Sequence, residues 1–157
     1  MAYVARGRDG TLTGKMGKSF DCKVKVQLVD KGAQMPRKAF PGDACYDLYM
    51  PCEAMLKAGQ TALFDLGIRL EIPSGWEAQI RGRSGLAKRG VFVHFGTIDH
   101  LYRKNVGVII FNSTAEDVSF ARGDRVAQMK LDRIWEVELG EGVVEDTERG
   151  GFGSTGN

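Results

Sequence analysis

Polar and apolar residues alternate through CKVKVQLVD, residues 22–30, with the two-residue period of a strand that buries one face. Related β-rich stretches follow as TALFDLGIRLEIP (61–73), WEAQIRG (76–82), GVFVHFG (90–96), VGVIIFN (106–112), VSFARGD (118–124) and RVAQMKLDRIWEVEL (125–139). Glycine, asparagine, aspartate or proline punctuates nearly every junction between them. Short strands at regular spacing predict an all-β sandwich, barrel or jelly roll. A single short helix interrupts this pattern at Ser84–Arg89, with Ser84 placed to serve as N-cap and Gly90 as the C′ glycine. Its free N–H groups and the nearby Arg81, Arg83 and Ser84 would suit an anion. The same residues would equally suit a capped surface turn with solvated arginines.

Composition narrows the class. The chain has 157 residues with 43% hydrophobic content, enough for one domain with a real core. Its net charge of +2 gives no bulk attraction for nucleic acid. The 21 glycines favour tight turns between short strands over long helices. Cys22, Cys45 and Cys52 form no CxxC pair, and their odd number fits neither a zinc site nor a disulfide framework. They read as free thiols in a reducing compartment. No apolar run approaches the length of a membrane span, and residues 1–18 show no apolar stretch of signal-peptide type. A cytoplasmic or otherwise intracellular setting, within the host cell if the source is a virus, is the expectation.

Residues 1–21 are polar and glycine-rich, and are expected to be a loosely ordered arm, although Asp9-Gly10 could close a small hairpin. Residues 22–147 are expected to hold the β domain, and residues 148–157 are too glycine-rich to hold one shape by themselves. Five glycine-bearing polar segments stand out: PGDACYDLYM (41–50), RGRSGLAKRG (81–90), GTIDHLYRKNVGVIIFN (96–112), RGDRVAQMKL (122–131) and ERGGFGSTGN (148–157). Each is weak alone. Their order and content together resemble the homotrimeric dUTPase family, over roughly residues 23–157.

The resemblance implies a jelly-roll subunit and a role for each segment. Asp47 matches an aspartate that helps hold Mg2+ through water, and a hard cation on a triphosphate keeps enough waters for one outer carboxylate to suffice. Arg83, Ser84 and Gly85 match a phosphate-binding turn. Asp99 matches the carboxylate that activates the attacking water, a general base of the kind that contributes roughly 10²–10⁴-fold in rate. Tyr102 matches a tyrosine packed beneath the deoxyribose, leaving no room for a 2′-hydroxyl. Asn105-Val106-Gly107 would shape a hairpin whose main-chain groups read uracil, with Gly96 on its approach. Gln128 matches a phosphate donor, whereas Asp124 and Arg125 would knit strands or subunits together. Residues 148–157 would be a mobile lid that closes over the nucleotide: Phe152 would stack on the uracil, Arg149 would meet the γ-phosphate, and Ser154 and Thr155, with Gly153 beside them, would add donors.

Several positions depart from the family pattern. Gly82 stands in place of a proline, Cys45 of a glycine, Leu101 of an acidic residue and Lys104 of a glycine, and the Arg149–Phe152 spacing is two residues short. His94 and His100 have no part in the implied chemistry and read as structural or solvent-facing. The implied activity is hydrolysis of dUTP to dUMP and pyrophosphate, which would limit uracil in DNA and supply dUMP. The implied partners are the nucleotide and two further copies of the chain, with no nucleic acid and no membrane. Two other functions fit the pattern less well. A dCTP deaminase of the same fold would release ammonia. A nucleotide-sensing or protein-binding trimer would bind without efficient turnover.

Overall fold

The computed structural model describes residues 21–147. The possible hairpin around Asp9-Gly10, almost all of the expected arm and the C-terminal segment from Glu148 lie outside that range. Within it the chain forms β1 (Lys25–Leu28), β2 (Tyr46–Tyr49), β3 (Ala54–Leu56), β4 (Thr61–Asp65), β5 (Ile68–Glu71), β6 (Trp76–Arg81), α1 (Ser84–Ala87), β7 (Val91–Val93), β8 (Gly96–Ile98), β9 (Gly107–Asn112), β10 (Val118–Phe120) and β11 (Arg125–Arg133). The all-β, jelly-roll-like expectation with one short helix holds. Strands pair antiparallel in four small sheets, ordered β1-β5, β10-β3, β2-β11-β6-β8 and β4-β9-β7.

Alternation along the strands builds the core. In β9, Val108, Ile110 and Asn112 point inward while Ile109 and Phe111 face outward. In β5, Ile68 and Leu70 point inward between exposed Arg69 and Glu71. Leu48, Met50, Leu56, Leu66, Val91, Val126 and Met129 join them in one apolar cluster. Phe64 meets Phe120 edge-on at 5.8 Å, a favoured aromatic geometry.

Four local expectations are corrected. The stretch 61–73 is two strands, β4 and β5, because Gly67 turns the chain at φ 65° and a Cβ there would lie 2.5 Å from the Asp30 Cβ. The alternation in 125–139 stops acting as a strand after Arg133, leaving Trp135, Val137 and Leu139 exposed. Ser84 is not the N-cap of α1: Arg83 holds that position in extended conformation and makes no side-chain cap bond. Gly90 does adopt the positive φ, 77°, expected just beyond the helix. Finally, Asn105-Val106-Gly107 does not close a hairpin, because β8 pairs with β6 while β9 pairs with β4 and β7. Residues 99–106 instead cross from one sheet to another.

Candidate active site

Strand register brings the first group of candidate residues together. Gln128 of β11 lies opposite Asp47 of β2 on one side and opposite Arg81 of β6 on the other. β6 then delivers the chain through Gly82 and Arg83 into α1. The Asp47 carboxylate sits between two guanidiniums, with Arg83 Nε 3.1 Å from Oδ1 and Arg125 Nη1 3.2 Å from Oδ2. Arg83 Nη1 also donates to the Arg125 carbonyl at 3.0 Å. Gln128 Nε2 donates to the Gly82 carbonyl at 2.7 Å. Together these bonds fasten the start of α1 to β2 and β11.

This bracket leaves the turn's own donors free. The Leu86 and Ala87 N–H groups bond to the Arg83 carbonyl and Lys88 N–H to that of Ser84. Among the described residues, the N–H groups of Ser84 and Gly85 have no acceptor. Gly85 has open space where a Cβ would stand. Both line a cleft of about 340 Å³ with Asp47, Arg83, Arg125 and Gln128. Exposed Phe40 stands at its rim, on a turn that Asp43 closes by accepting the Phe40 N–H at 2.8 Å. Free amides, a hydroxyl and two guanidiniums around one cleft suit a polyanion.

The second group lies on the crossing segment. Asp99 follows β8 and is exposed, and its carboxylate has no hydrogen-bond partner among the described residues. Its carbonyl accepts the Tyr102 N–H at 3.0 Å. The Tyr102 hydroxyl donates to the Asn105 carbonyl at 2.9 Å, which closes the segment into a tight loop. Arg103 folds back onto the carbonyls of His100 and Tyr102. Its guanidinium is therefore held by backbone, with no carboxylate at position 101, where Leu101 is exposed.

Among the described residues, the cleft of Ser84 and Gly85 is not lined by Asp99 or Tyr102. The Gln128 side chain, expected to meet ligand, is already engaged with Gly82, and the Asn105 side chain is engaged with Arg69 and Asp65. Gly96 leaves an ordinary contact distance to Ile80, whereas a Cβ on Gly107 would come within 2.8 Å of Leu63 Cδ1. Arg125 ties β11 to β2, as expected of it, and also lines the cleft, which its sequence context did not signal. Phe40 was missed as well; the Pro41-Gly42-Asp43 turn that presents it was the available signal. His94 is exposed, and its N–H bonds to the Ile109 carbonyl in line with a structural reading. Arg149, Phe152, Gly153, Ser154 and Thr155 lie outside the described residues.

Comparison with known proteins places this geometry. The dUTPase family profile matches residues 31–156. The chain belongs to the dUTPase family. A deoxyuridine 5'-triphosphate nucleotidohydrolase of Yarrowia lipolytica is 44% identical over 139 residues, covering 85% of this chain and 88% of its own length. The protein of that name in Anaeromyxobacter sp. is also 44% identical, over 144 residues and 97% of its length. Among solved structures, a Staphylococcus bacteriophage 80alpha dUTPase variant with dUpNHpp superposes with a TM-score of 0.76 at 24% identity, covering 85% of this chain and 98% of that one. A dUTPase variant from phage phi11 of S. aureus, in which coordination of a structural Mg(II) ion was seen, superposes at 0.71 over 81% of this chain and 99% of that one. These two likenesses establish the shared fold.

Proposed function

We propose that the chain hydrolyses dUTP to dUMP and pyrophosphate. The observation that carries this reading is the pair of free amides at Ser84 and Gly85 beside the Asp47–Arg83–Arg125 bracket, in a family whose named relatives are deoxyuridine triphosphate nucleotidohydrolases. The triphosphate lies along the cleft, taking N–H donors from the turn and charge from the guanidiniums. Asp99 accepts a proton from water as its oxygen attacks the α-phosphorus. The bond from the α-phosphorus to the α–β bridging oxygen breaks, and pyrophosphate leaves with that oxygen. Tyr102 packs beneath the deoxyribose and excludes a 2′-hydroxyl. The Asn105 side chain is engaged elsewhere, so in this reading the uracil is read by main-chain groups of residues 105–107.

The donor set admits Mg2+ in one way. No group of three or more His, Cys, Asp or Glu able to hold a metal occurs among the described residues. Each Asp47 oxygen accepts one guanidinium contact and keeps a lone pair, so it can take a hydrogen bond from a metal-bound water but cannot cage an ion. Mg2+ carried by the nucleotide would neutralise phosphate charge and favour pyrophosphate as leaving group.

A homotrimer with shared sites completes the reading. Asp99 does not line the cleft of Ser84, which fits a site assembled from neighbours. The outer face of β4-β9-β7 carries exposed Leu63 opposite Ile109 and exposed Phe92 opposite Phe111. A contiguous apolar sheet face of this kind calls for a partner surface. Beyond β11, exposed Trp135, Val137 and Leu139 alternate as a strand does when it is added to another sheet. We assign the division into an N-terminal arm, a β domain and a C-terminal nucleotide-contacting segment on the family resemblance alone, and Phe152 with it.

Product analysis tests the reading. Purified protein given dUTP and Mg2+ is expected to release pyrophosphate and dUMP. Ammonia release from dCTP would establish a deaminase, and nucleotide binding without turnover a sensor; either would overturn the proposal. No helix among the described residues is long and apolar enough to cross a membrane.

A further inference from the structure

Tyr102 is the residue proposed to select the sugar, yet it is 42% exposed and stands on a segment with no strand partner of its own. Something has to fix its ring. Its hydroxyl donates to the Asn105 carbonyl, so the position of Asn105 sets the position of the ring. Asn105 in turn is held at both ends of its amide. Arg69 Nε donates to its Oδ1 at 2.7 Å, and its Nδ2 donates to Asp65 Oδ2 at 2.8 Å. The other Asp65 oxygen accepts the Gly67 N–H at 2.8 Å, so the turn between β4 and β5 fixes this carboxylate. Main chain reinforces the same seam, with Val106 N–H donating to the Ile68 carbonyl at 2.8 Å and Leu66 N–H to the Val106 carbonyl at 3.0 Å.

We propose that Asn105, gripped between Arg69 and Asp65, is a positioning residue that holds the Tyr102 ring against the sugar and thereby sets the preference for deoxyribose over ribose nucleotides. This rests on the reading of Tyr102 as the sugar filter. Asn105 touches no reacting atom; its side chain acts through its own backbone and the Tyr102 hydroxyl. An amide is suited to this place because one end must accept from a guanidinium and the other must donate to a carboxylate. If the grip is broken, the ring can swing from the 2′ position, which admits UTP more readily than it harms dUTP.

A reciprocal swap tests the proposal, with the ratio of kcat/KM for dUTP to that for UTP as the readout. Asn105→Asp sets a carboxylate against Asp65, and Asp65→Asn sets an NH2 group against the NH2 of Asn105. Each single variant is expected to lower the ratio by about tenfold, the scale of one lost well-placed polar contact. Combining them lets the amide at 65 accept from Gly67 N–H and donate to the carboxylate at 105, which still accepts from Arg69. The double variant is therefore expected to recover most of the ratio. Tyr102→Ala is the reference. If it leaves the ratio unchanged, Tyr102 is not the sugar filter and the proposal falls with that reading. If it lowers the ratio while both singles keep it, the proposal alone is overturned. Singles that lower the ratio without recovery in the double also overturn it. Should a single variant not fold, Arg69→Met removes the other grip and is expected to lower the ratio; an unchanged ratio in that variant overturns the proposal.

Discussion

Asp99 and Asp47 stand in opposite surroundings. Asp99 is exposed with a carboxylate free of partners among the described residues, while Asp47 is clamped by Arg83 and Arg125. Asp99→Asn is expected to leave folding and dUTP binding nearly intact and to cut turnover by at least the ~10²-fold due to a lost general base. Single-turnover kinetics beside a binding isotherm would check this, and near-normal turnover would sink the assignment. Asp47→Asn removes the anion between two guanidiniums, and is expected to cost roughly 2 kcal/mol in unfolding free energy and to loosen the phosphate turn. Denaturant titration checks the first effect and a raised KM the second. The residue types at the site were legible in the sequence because glycine-bearing segments with carboxylates and arginines interrupt a β pattern. Their partners were not. Arg125 and Asp47 are 78 residues apart, and only the pairing of β2 with β11 brings them together.

At the level of elements, the alternation of apolar residues predicted most strands because each buries one face. It failed where chain direction changed without a change of pattern, as at Gly67, where the turn lies inside a continuous β-rich run. It also overextended β11: the Ile134 N–H still bonds to the Gly75 carbonyl, but residues 135–139 alternate without a strand partner among the described residues. Buried polar anchoring was invisible to it altogether. Asn112 is fully buried at the end of β9, donating to the carbonyls of Leu56, Lys57 and Glu116 and accepting from Thr114 N–H and hydroxyl. Asn112→Leu would strand these groups, and is expected to cost about 3 kcal/mol and lower the melting temperature by roughly 10 °C. Calorimetry that finds a shift under about 2 °C would refute this role. At the edge, the hydrogen bond from Lys57, with help from Ala58 N–H, holds the Asp117 carboxyl below its ordinary 3.8. A depressed value stabilises the fold above pH 3.8 and ceases to do so as pH falls through the folded value. The stability gap between the protein and Asp117→Asn should hold steady near neutrality and close below pH 3.8. A gap that widens in acid would show the opposite sign.

Among the described residues the molecule exposes an apolar sheet face and, beyond β11, the side chains of Trp135, Val137 and Leu139. Leu63→Arg places a charge on that face, on the edge strand beside Ile109. It is expected to leave the β content unchanged by circular dichroism and to shift sedimentation from trimer to monomer, with loss of activity. A fully active monomer would separate assembly from catalysis. The most direct test of shared sites is complementation between chains. Arg83→Ala disables the phosphate turn and Asp99→Asn the base, and each variant alone should be nearly inactive. Unfolded together and refolded as mixed trimers, they generate sites that take an intact turn from the Asp99→Asn chain and an intact Asp99 from the Arg83→Ala chain. Pyrophosphate release from dUTP should reappear in the co-refolded sample and stay absent when the variants are refolded apart and then mixed. Mixed trimers, confirmed by mass and still inactive, would mean that turn and base act within one chain.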